Sequence, residues 1–318
     1  MDLTQIVPEA KSEIEHFLAD FPDGTVVIRG ATATGKSGLS VELSQYFDME
    51  VVSADSRQIF CFMDIGTDKI AKKIRSTLPH HQIDIIDPDQ NYTAGQRKQD
   101  SEAIIEQILQ HKKVPFIVGG TGLYIDTIYK NFTMPESAPD LIFRQQLQDQ
   151  EDLQPGFLHS ELSRIDPVEA SKLHPKATRY IIRALEIHHS TGSTKTDTFI
   201  QQPVRHPLLM LGLWREKEQG NMLINSRIKQ MIKNGLIDEV QSLLSVGYST
   251  DLQSMNGIGY KEVISYLHGL YNLEKMEEYL KRNTHHLAKK QRTRFRRYIA
   301  QGKINARENV RYRVWNLG

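Results

Sequence analysis

The stretch GATATGKS, Gly30–Ser37, constrains the fold more than any other part of this 318-residue chain. Gly-x-x-x-x-Gly-Lys-Ser is the pattern of a phosphate-binding loop, and it works only where a strand delivers the chain into the loop and a helix carries it away. GTVVIRG before it is a short β-branched run, and KSGLSVELSQYF after it carries apolar residues at helical spacing. In that setting the backbone N–H groups of Gly30, Ala31, Thr32, Ala33, Thr34, Gly35, Lys36 and Ser37 line a cradle. The positive end of the following helix and the Lys36 ammonium converge on the same anion. The Ser37 hydroxyl can then ligate Mg²⁺. The pattern identifies a phosphate or diphosphate ligand; it leaves open which phosphates are held and whether ATP also occupies the loop.

A second strand, MEVVSADS, ends on a polar cluster, and a third, VPFIVGGTGLY, is a continuous apolar run of the kind a strand buried on both faces shows. DSEAIIEQILQHKK between them is helical. Alternating strands and helices predict an α/β fold: a P-loop NTPase-like parallel sheet with helices on both faces, whose ligands bind beyond the carboxyl ends of the strands. Lys36, Asp55 and Thr121 all fall at those ends. After Phe132 the texture changes to a Pro-rich linker, TMPESAPD, and then to charged helical stretches. Residues 134–202 therefore read as an all-helical insertion into a core made of 1–133 and 203–318. HPLLMLGLW reads as a returning strand, followed by three or four helices and a basic strand-like tail, NVRYRVW. Pro8–Asp20 reads as a short amphipathic helix.

The single cysteine, Cys61, excludes an intrachain disulfide and a cysteine zinc cluster, which fits a reducing compartment. No apolar run approaches the roughly eighteen residues of a membrane span, and the acidic, interrupted N-terminus does not read as a signal peptide. The expectation is a cytoplasmic monomer with no membrane contact. The net charge of +1 hides an asymmetry, since Tyr279–Arg307 contains ten Lys or Arg and no Asp or Glu. That run reads as a solvated helix face or as a phosphate-backbone partner, and the interleaved Phe295 and Tyr298 favour the second.

An ATPase places an acidic residue at the end of a later apolar strand. Here that strand ends in two glycines, which suggests close backbone approach to a ligand in place of nucleotide hydrolysis. Asp55 ends the second strand on the same rim as the loop. It reads as a turn residue or as a general base facing whatever receives the group attached to the cradled phosphates. Thr121, just beyond the third strand, reads as a helix N-cap.

Taken together, GATATGKS, SADSRQIFCFMDIGTDK, HHQIDIIDP, VPFIVGGTGLYI, RYIIRALEI, MNGIGYKE and LAKKQRTRFRR resemble the tRNA dimethylallyltransferases, or tRNA isopentenyltransferases, in the family's order over most of the chain. The resemblance implies transfer of a five-carbon allylic group from dimethylallyl diphosphate to the N6 amine of the adenosine just 3′ of the anticodon in tRNA. The cradle would hold the donor's diphosphate with Mg²⁺. Asp55 would be the catalytic base, and Thr121 would stand beside the reacting atoms. Asp55, Ser56, Arg57 and Gln58 would line the channel for the extruded adenosine. Arg179, Arg183, Gly257, Ile258, Gly259, Tyr260, Lys261, Gln291 and Arg292 would contact tRNA.

Two departures stand out near the loop. Ala31 replaces a usual Pro, and Arg29 replaces a usual apolar residue, with neither removing an N–H donor. The family's diphosphate-contacting arginine aligns only across a gap in LWREKEQGNMLINSRIKQM, so Arg215 is not assigned to it. One rival reading is a prenyltransferase acting on free adenine nucleotides. Others are a small-molecule kinase and a non-catalytic RNA-binding P-loop protein.

Overall fold

The computed structural model describes residues 3–134, 139–301 and 309–317. Residues 135–138 of the Pro-rich linker, and Lys303 and Arg307 of the basic run, lie outside them. The chain divides into two compact units, Met1–Tyr129 with Val204–Gly318, and Lys130–Pro203.

The first unit begins with α1 (Leu3–Asp20), β1 (Thr25–Gly30), α2 (Lys36–Leu43), β2 (Met49–Ser53), α3 (Lys72–Arg75), β3 (His80–His81), α4 (Ala94–Gln110), β4 (Val114–Gly119) and α5 (Gly122–Tyr129). The second unit holds α6 (Leu141–Leu153), α7 (Phe157–Ile165), α8 (Pro167–Ala170), α9 (Thr178–Thr191) and α10 (Lys195–Thr198). The chain then returns as β5 (Leu208–Trp214), α11 (Lys217–Lys233), α12 (Leu236–Ser245), α13 (Tyr260–Leu267), α14 (Leu273–Gln301) and β6 (Val310–Asn316).

Among the described residues the six strands form one sheet in the order β3-β2-β4-β1-β5-β6, with every neighbouring pair parallel. Period-two alternation assigns their side chains to two cores. Val26, Ile28, Val51, Phe116 and Leu211 face one side with Ile6, Ile14 and Phe17 of α1 and Leu39 and Leu43 of α2. Val27, Val52, Ile117 and Met210 face the other with Ile105 and Ile108 of α4, Tyr124 and Ile125 of α5, and Phe295 of α14. Both faces are covered, which is why these strands read as continuous apolar runs. At about 1.5–3 kcal/mol per large buried side chain, these two layers dominate the sheet's stability.

A third cluster joins Ala31 of the loop and Ile59, Phe60 and Met63 to α11, α12 and α13. It packs the region after β2 against the C-terminal helices. The helical unit has its own small core of Leu147, Leu158, Leu162, Ile181 and Leu185. Two elements differ from the sequence reading. The first helix starts at Leu3 and keeps Pro8 inside it. His80–His81 forms a short edge strand paired with Val51 and Val52.

Candidate active site

The cradle follows β1 directly. Ala33 at φ 62° and Gly35 at φ 90° turn successive N–H groups inward, a left-handed geometry that glycine adopts without strain and alanine only under constraint. Helix α2 starts at Lys36, so its unpaired N–H groups face the concavity. The Lys36 ammonium donates to the Ala31 carbonyl at 2.8 Å. Desolvation lowers its pKa to about 8; the charges of Asp55 and Asp68 oppose the fall, and that of Arg227 adds to it. A desolvated ammonium beside a loop of N–H groups is suited to a polyanion, whose own charge restores the protonated form.

An arginine does reach the cradle, but from a position the sequence reading did not find. Arg227 on α11 donates through Nη1 to Asp68 Oδ2 at 2.6 Å and through Nη2 to the Thr32 hydroxyl oxygen. Arg215 points elsewhere, donating to the Leu317 carbonyl at 3.0 Å. Arg227 escaped notice because the helix it sits on aligned only across a gap.

Just after β2, Asp55 Oδ1 accepts the Arg57 N–H at 2.8 Å, so the carboxylate does close a turn. That bond uses one oxygen. Asp55 also lies within the electrostatic reach of Lys36, Arg57, Arg97 and Tyr124. Thr121 does not cap its own helix with its side chain: its hydroxyl oxygen accepts the Ser56 N–H at 3.1 Å, and its N–H donates to the Ala54 carbonyl at 3.0 Å. Thr121 and the residues flanking Asp55 are thus tied together.

Beneath them lies Arg97, 2% exposed, with its guanidinium 4.1 Å over the Tyr124 ring and Nη2 donating to the Ser53 carbonyl. Burial lowers its pKa to about 10, against the opposing pull of Tyr124, Tyr92 and Asp55. Sequence reasoning missed it, although a signal existed. Arg97, Ser101, Ile105 and Ile108 share the buried face of α4 at helical spacing.

The glycines at the end of β4 and just beyond it are required by the protein's own packing. A Cβ on Gly119 would lie 2.2 Å from the Ala54 carbonyl oxygen, one on Gly120 2.5 Å from Gln291 Nε2, and one on Gly122 2.2 Å from Arg294 Cδ. The bare turn admits the β2 loop on one side and α14 on the other. Arg29, buried at the end of β1, donates to the Phe295 carbonyl at 3.4 Å, another tie to α14.

The residues assigned to RNA, by resemblance or by the basic run, separate into two groups. Arg179, Lys261, Lys289, Lys290, Arg296 and Arg297 are exposed. Others are engaged within the protein. Arg57 donates to the carbonyls of Gln253 and Ser254, and Gln58 bonds Ser53, Thr67 and Asp68. Arg183 donates to Glu186 at 2.5 Å. Arg292 lies against α11, its Nη1 3.7 Å from where a Gly220 Cβ would be.

Tyr260 is fully buried, so it cannot form part of an RNA-facing surface. Its hydroxyl donates at 2.7 Å to Glu239, whose carboxylate also accepts the N–H groups of Asp64, Ile65 and Gly66. Glu239 thereby fixes the 64–66 loop, and nothing in the sequence pattern marks it.

For Mg²⁺, the fit rests on donor chemistry. Among the described residues no group of three or more His, Cys, Asp or Glu is placed to hold a metal ion. The exposed Ser37 at the start of α2 offers one neutral oxygen. That suits an ion which keeps its waters and takes most of its remaining ligands from substrate phosphates.

The sequence model of the IPP transferase family matches residues 58–298. The chain belongs to the IPP transferase family. The tRNA dimethylallyltransferase of Pelotomaculum thermopropionicum is 44% identical over 275 residues, spanning 86% of this chain and 88% of that protein. The enzyme of the same name from Thermotoga neapolitana is 43% identical over 272 residues, spanning 86% and 89%. Among solved IPP transferase structures, the tRNA isopentenylpyrophosphate transferase of Bacillus halodurans superposes with a TM-score of 0.65 at 37% identity, covering 92% of this chain and 90% of that one. A eukaryotic dimethylallyltransferase acting on tRNA superposes with a TM-score of 0.73 at 30% identity, covering 84% and 68%. Among the described residues of this family member, no helix is long and apolar enough to cross a membrane.

Proposed function

We propose that the chain transfers a dimethylallyl group from dimethylallyl diphosphate to the N6 amine of the adenosine 3′-adjacent to the anticodon in tRNA, releasing diphosphate. The observation that carries this reading is the pairing, on one rim of the sheet, of a P-loop cradle that contains Lys36 with a carboxylate, Asp55, within its electrostatic reach. Membership of the IPP transferase family supports the same chemistry.

The residues divide the work. The cradle N–H groups, Lys36 and Arg227 face the diphosphate, whose negative charge grows as the allylic C–O bond breaks, and they stabilise it where that charge develops. Ser37 would hold Mg²⁺ on the same group, where the ion supplies Lewis-acid stabilisation of the leaving oxygens. The adenine amine becomes acidic only as the N6–C bond forms, and the Asp55 carboxylate takes that proton. Arg97 keeps positive charge and rigidity beneath the acceptor loop. The exposed Lys289, Lys290, Arg296 and Arg297 of α14 suit an RNA backbone more than a free nucleotide. A tRNA substrate would place the work in the cytoplasm.

The test is nucleoside mass spectrometry of unmodified tRNA incubated with the protein, Mg²⁺ and dimethylallyl diphosphate, with AMP as a parallel acceptor. A prenyl mass gain on tRNA adenosine is expected. Efficient gain on AMP with none on tRNA would favour the free-nucleotide enzyme, and ATP-dependent phosphorylation without prenylation would favour a kinase.

A further inference from the structure

We infer that Gln291 is a positioning residue whose single side-chain amide braces the donor cradle against the acceptor-side turn, holding the two halves of the site in register. The Thr32 N–H donates to Gln291 Oε1 at 2.8 Å, and Gln291 Nε2 donates to the Gly120 carbonyl at 3.0 Å. Thr32 belongs to the cradle, and its hydroxyl also receives the Arg227 guanidinium. Gly120 precedes Thr121, whose bonds to Ala54 and Ser56 flank Asp55. A continuous set of hydrogen bonds therefore runs from the loop that would grip the leaving group to the loop that carries the base, and Gln291 is its middle member.

The packing around it agrees with this role. A side chain at Gly120 would lie 2.5 Å from Gln291 Nε2, so the turn is bare where the amide enters. Both ends of the amide are occupied inside the protein, whereas the resemblance assigns Gln291 to tRNA. The inference rests on the proposed transfer reaction: an SN-type displacement needs donor carbon and acceptor nitrogen aligned, and a displacement of about 1 Å costs on the order of 10²-fold in rate.

The experiment compares wild type, Gln291→Ala and Gln291→Met in steady-state transfer and in amide hydrogen exchange over residues 30–35. Methionine keeps the length and bulk of the side chain and removes both hydrogen bonds. Both variants are expected to lose kcat by roughly 10- to 100-fold, with KM for donor and for tRNA within about threefold of wild type. The Thr32 amide should exchange faster in both. Recovery of kcat by Gln291→Met would reduce Gln291 to a packing residue and overturn the brace. A raised tRNA KM with unchanged kcat would make it an RNA contact and overturn it equally. Should the alanine variant not fold, the methionine variant carries the test. If wild type transfers no prenyl group, the functional reading fails, and the exchange of the Thr32 amide still decides the brace: unchanged exchange in Gln291→Met rejects it.

Discussion

In the sheet unit, four charged side chains around the loops that follow β1 and β2 are fastened to backbone. Lys36 holds the Ala31 carbonyl, Arg57 those of Gln253 and Ser254, Arg97 that of Ser53, and Glu239 the N–H groups of three consecutive residues. In the helical unit, the buried carboxylate Glu186 is fastened chiefly to other charges, taking Arg144 through two bonds of 2.7 Å and Arg183 through one of 2.5 Å, beside one backbone N–H from Asp140. Charge bonded to backbone fixes a loop while its own field remains uncancelled. Charge bonded to charge fixes helices to one another and is largely neutralised. The first arrangement makes a site, and the second makes a scaffold that depends on pH.

The strongest way to break this contrast is at Asp55. Asp55→Ala is expected to lower turnover by roughly 10²- to 10⁴-fold, the usual contribution of a positioned base, with tRNA affinity nearly unchanged. Asp55→Asn keeps an acceptor for the Arg57 N–H. If asparagine restores turnover, the residue acts only as a turn former and its charge is not used.

Arg227 gives the next effect. Its guanidinium fork joins Thr32 of the cradle to Asp68, so Arg227→Ala should lower kcat/KM for the donor by roughly 10- to 100-fold. Arg227→Lys should recover only part of this, because an ammonium cannot span both partners. A steady-state titration of donor at saturating tRNA measures it, and a wild-type value for Arg227→Ala would remove this arginine from the donor site.

The smallest effect belongs to the helical unit. Burial opposes ionisation of Glu186, but the Arg144 and Arg183 bonds outweigh it and hold the pKa at about 2, against an ordinary 4.5. A lowered folded pKa means that this stabilisation is complete above about pH 4.5 and is lost as pH falls toward 2. Glu186→Gln should cost the unit about 1 to 2 kcal/mol at neutral pH and flatten its stability between those limits. Hydrogen exchange along α9 at pH 7 and pH 3 measures this, and identical pH dependence in variant and wild type would show that the ion pairs contribute nothing net.

The sequence made strands visible where both faces are buried, since β1, β2, β4 and β5 are apolar runs bounded by turn residues. It did not show His80–His81 as a strand, because two residues that take their extended form from Val51 and Val52 carry no period of their own. The cradle, Asp55 and Thr121 were legible because a loop motif and strand ends fix their location. The packing demand at Gly119 and Gly120 was not, since a glycine that admits a neighbouring loop or a distant helix carries no mark of it until those elements are placed. Tyr260 sits in a run that resembles an RNA-binding segment, yet only burial shows that it faces Glu239.

The edge of the sheet has a consequence for how this protein is made. Strand β6 lies against α1: Trp315 Nε1 donates to Glu9 at 2.8 Å across 306 residues of sequence, and Arg311 reaches Asp20 across 291. Trp315 and Leu317 share a core with Ile6, Ile14 and Phe17. A ribosome adds roughly 5–20 residues per second, so α1 emerges and then waits on the order of 15–60 s before its last partners exist. Throughout that interval the helix can pack only against its early partners in the same core, Val26 and Ile28 of β1 and Leu39 and Leu43 of α2, and it gains its final cover when β6 arrives.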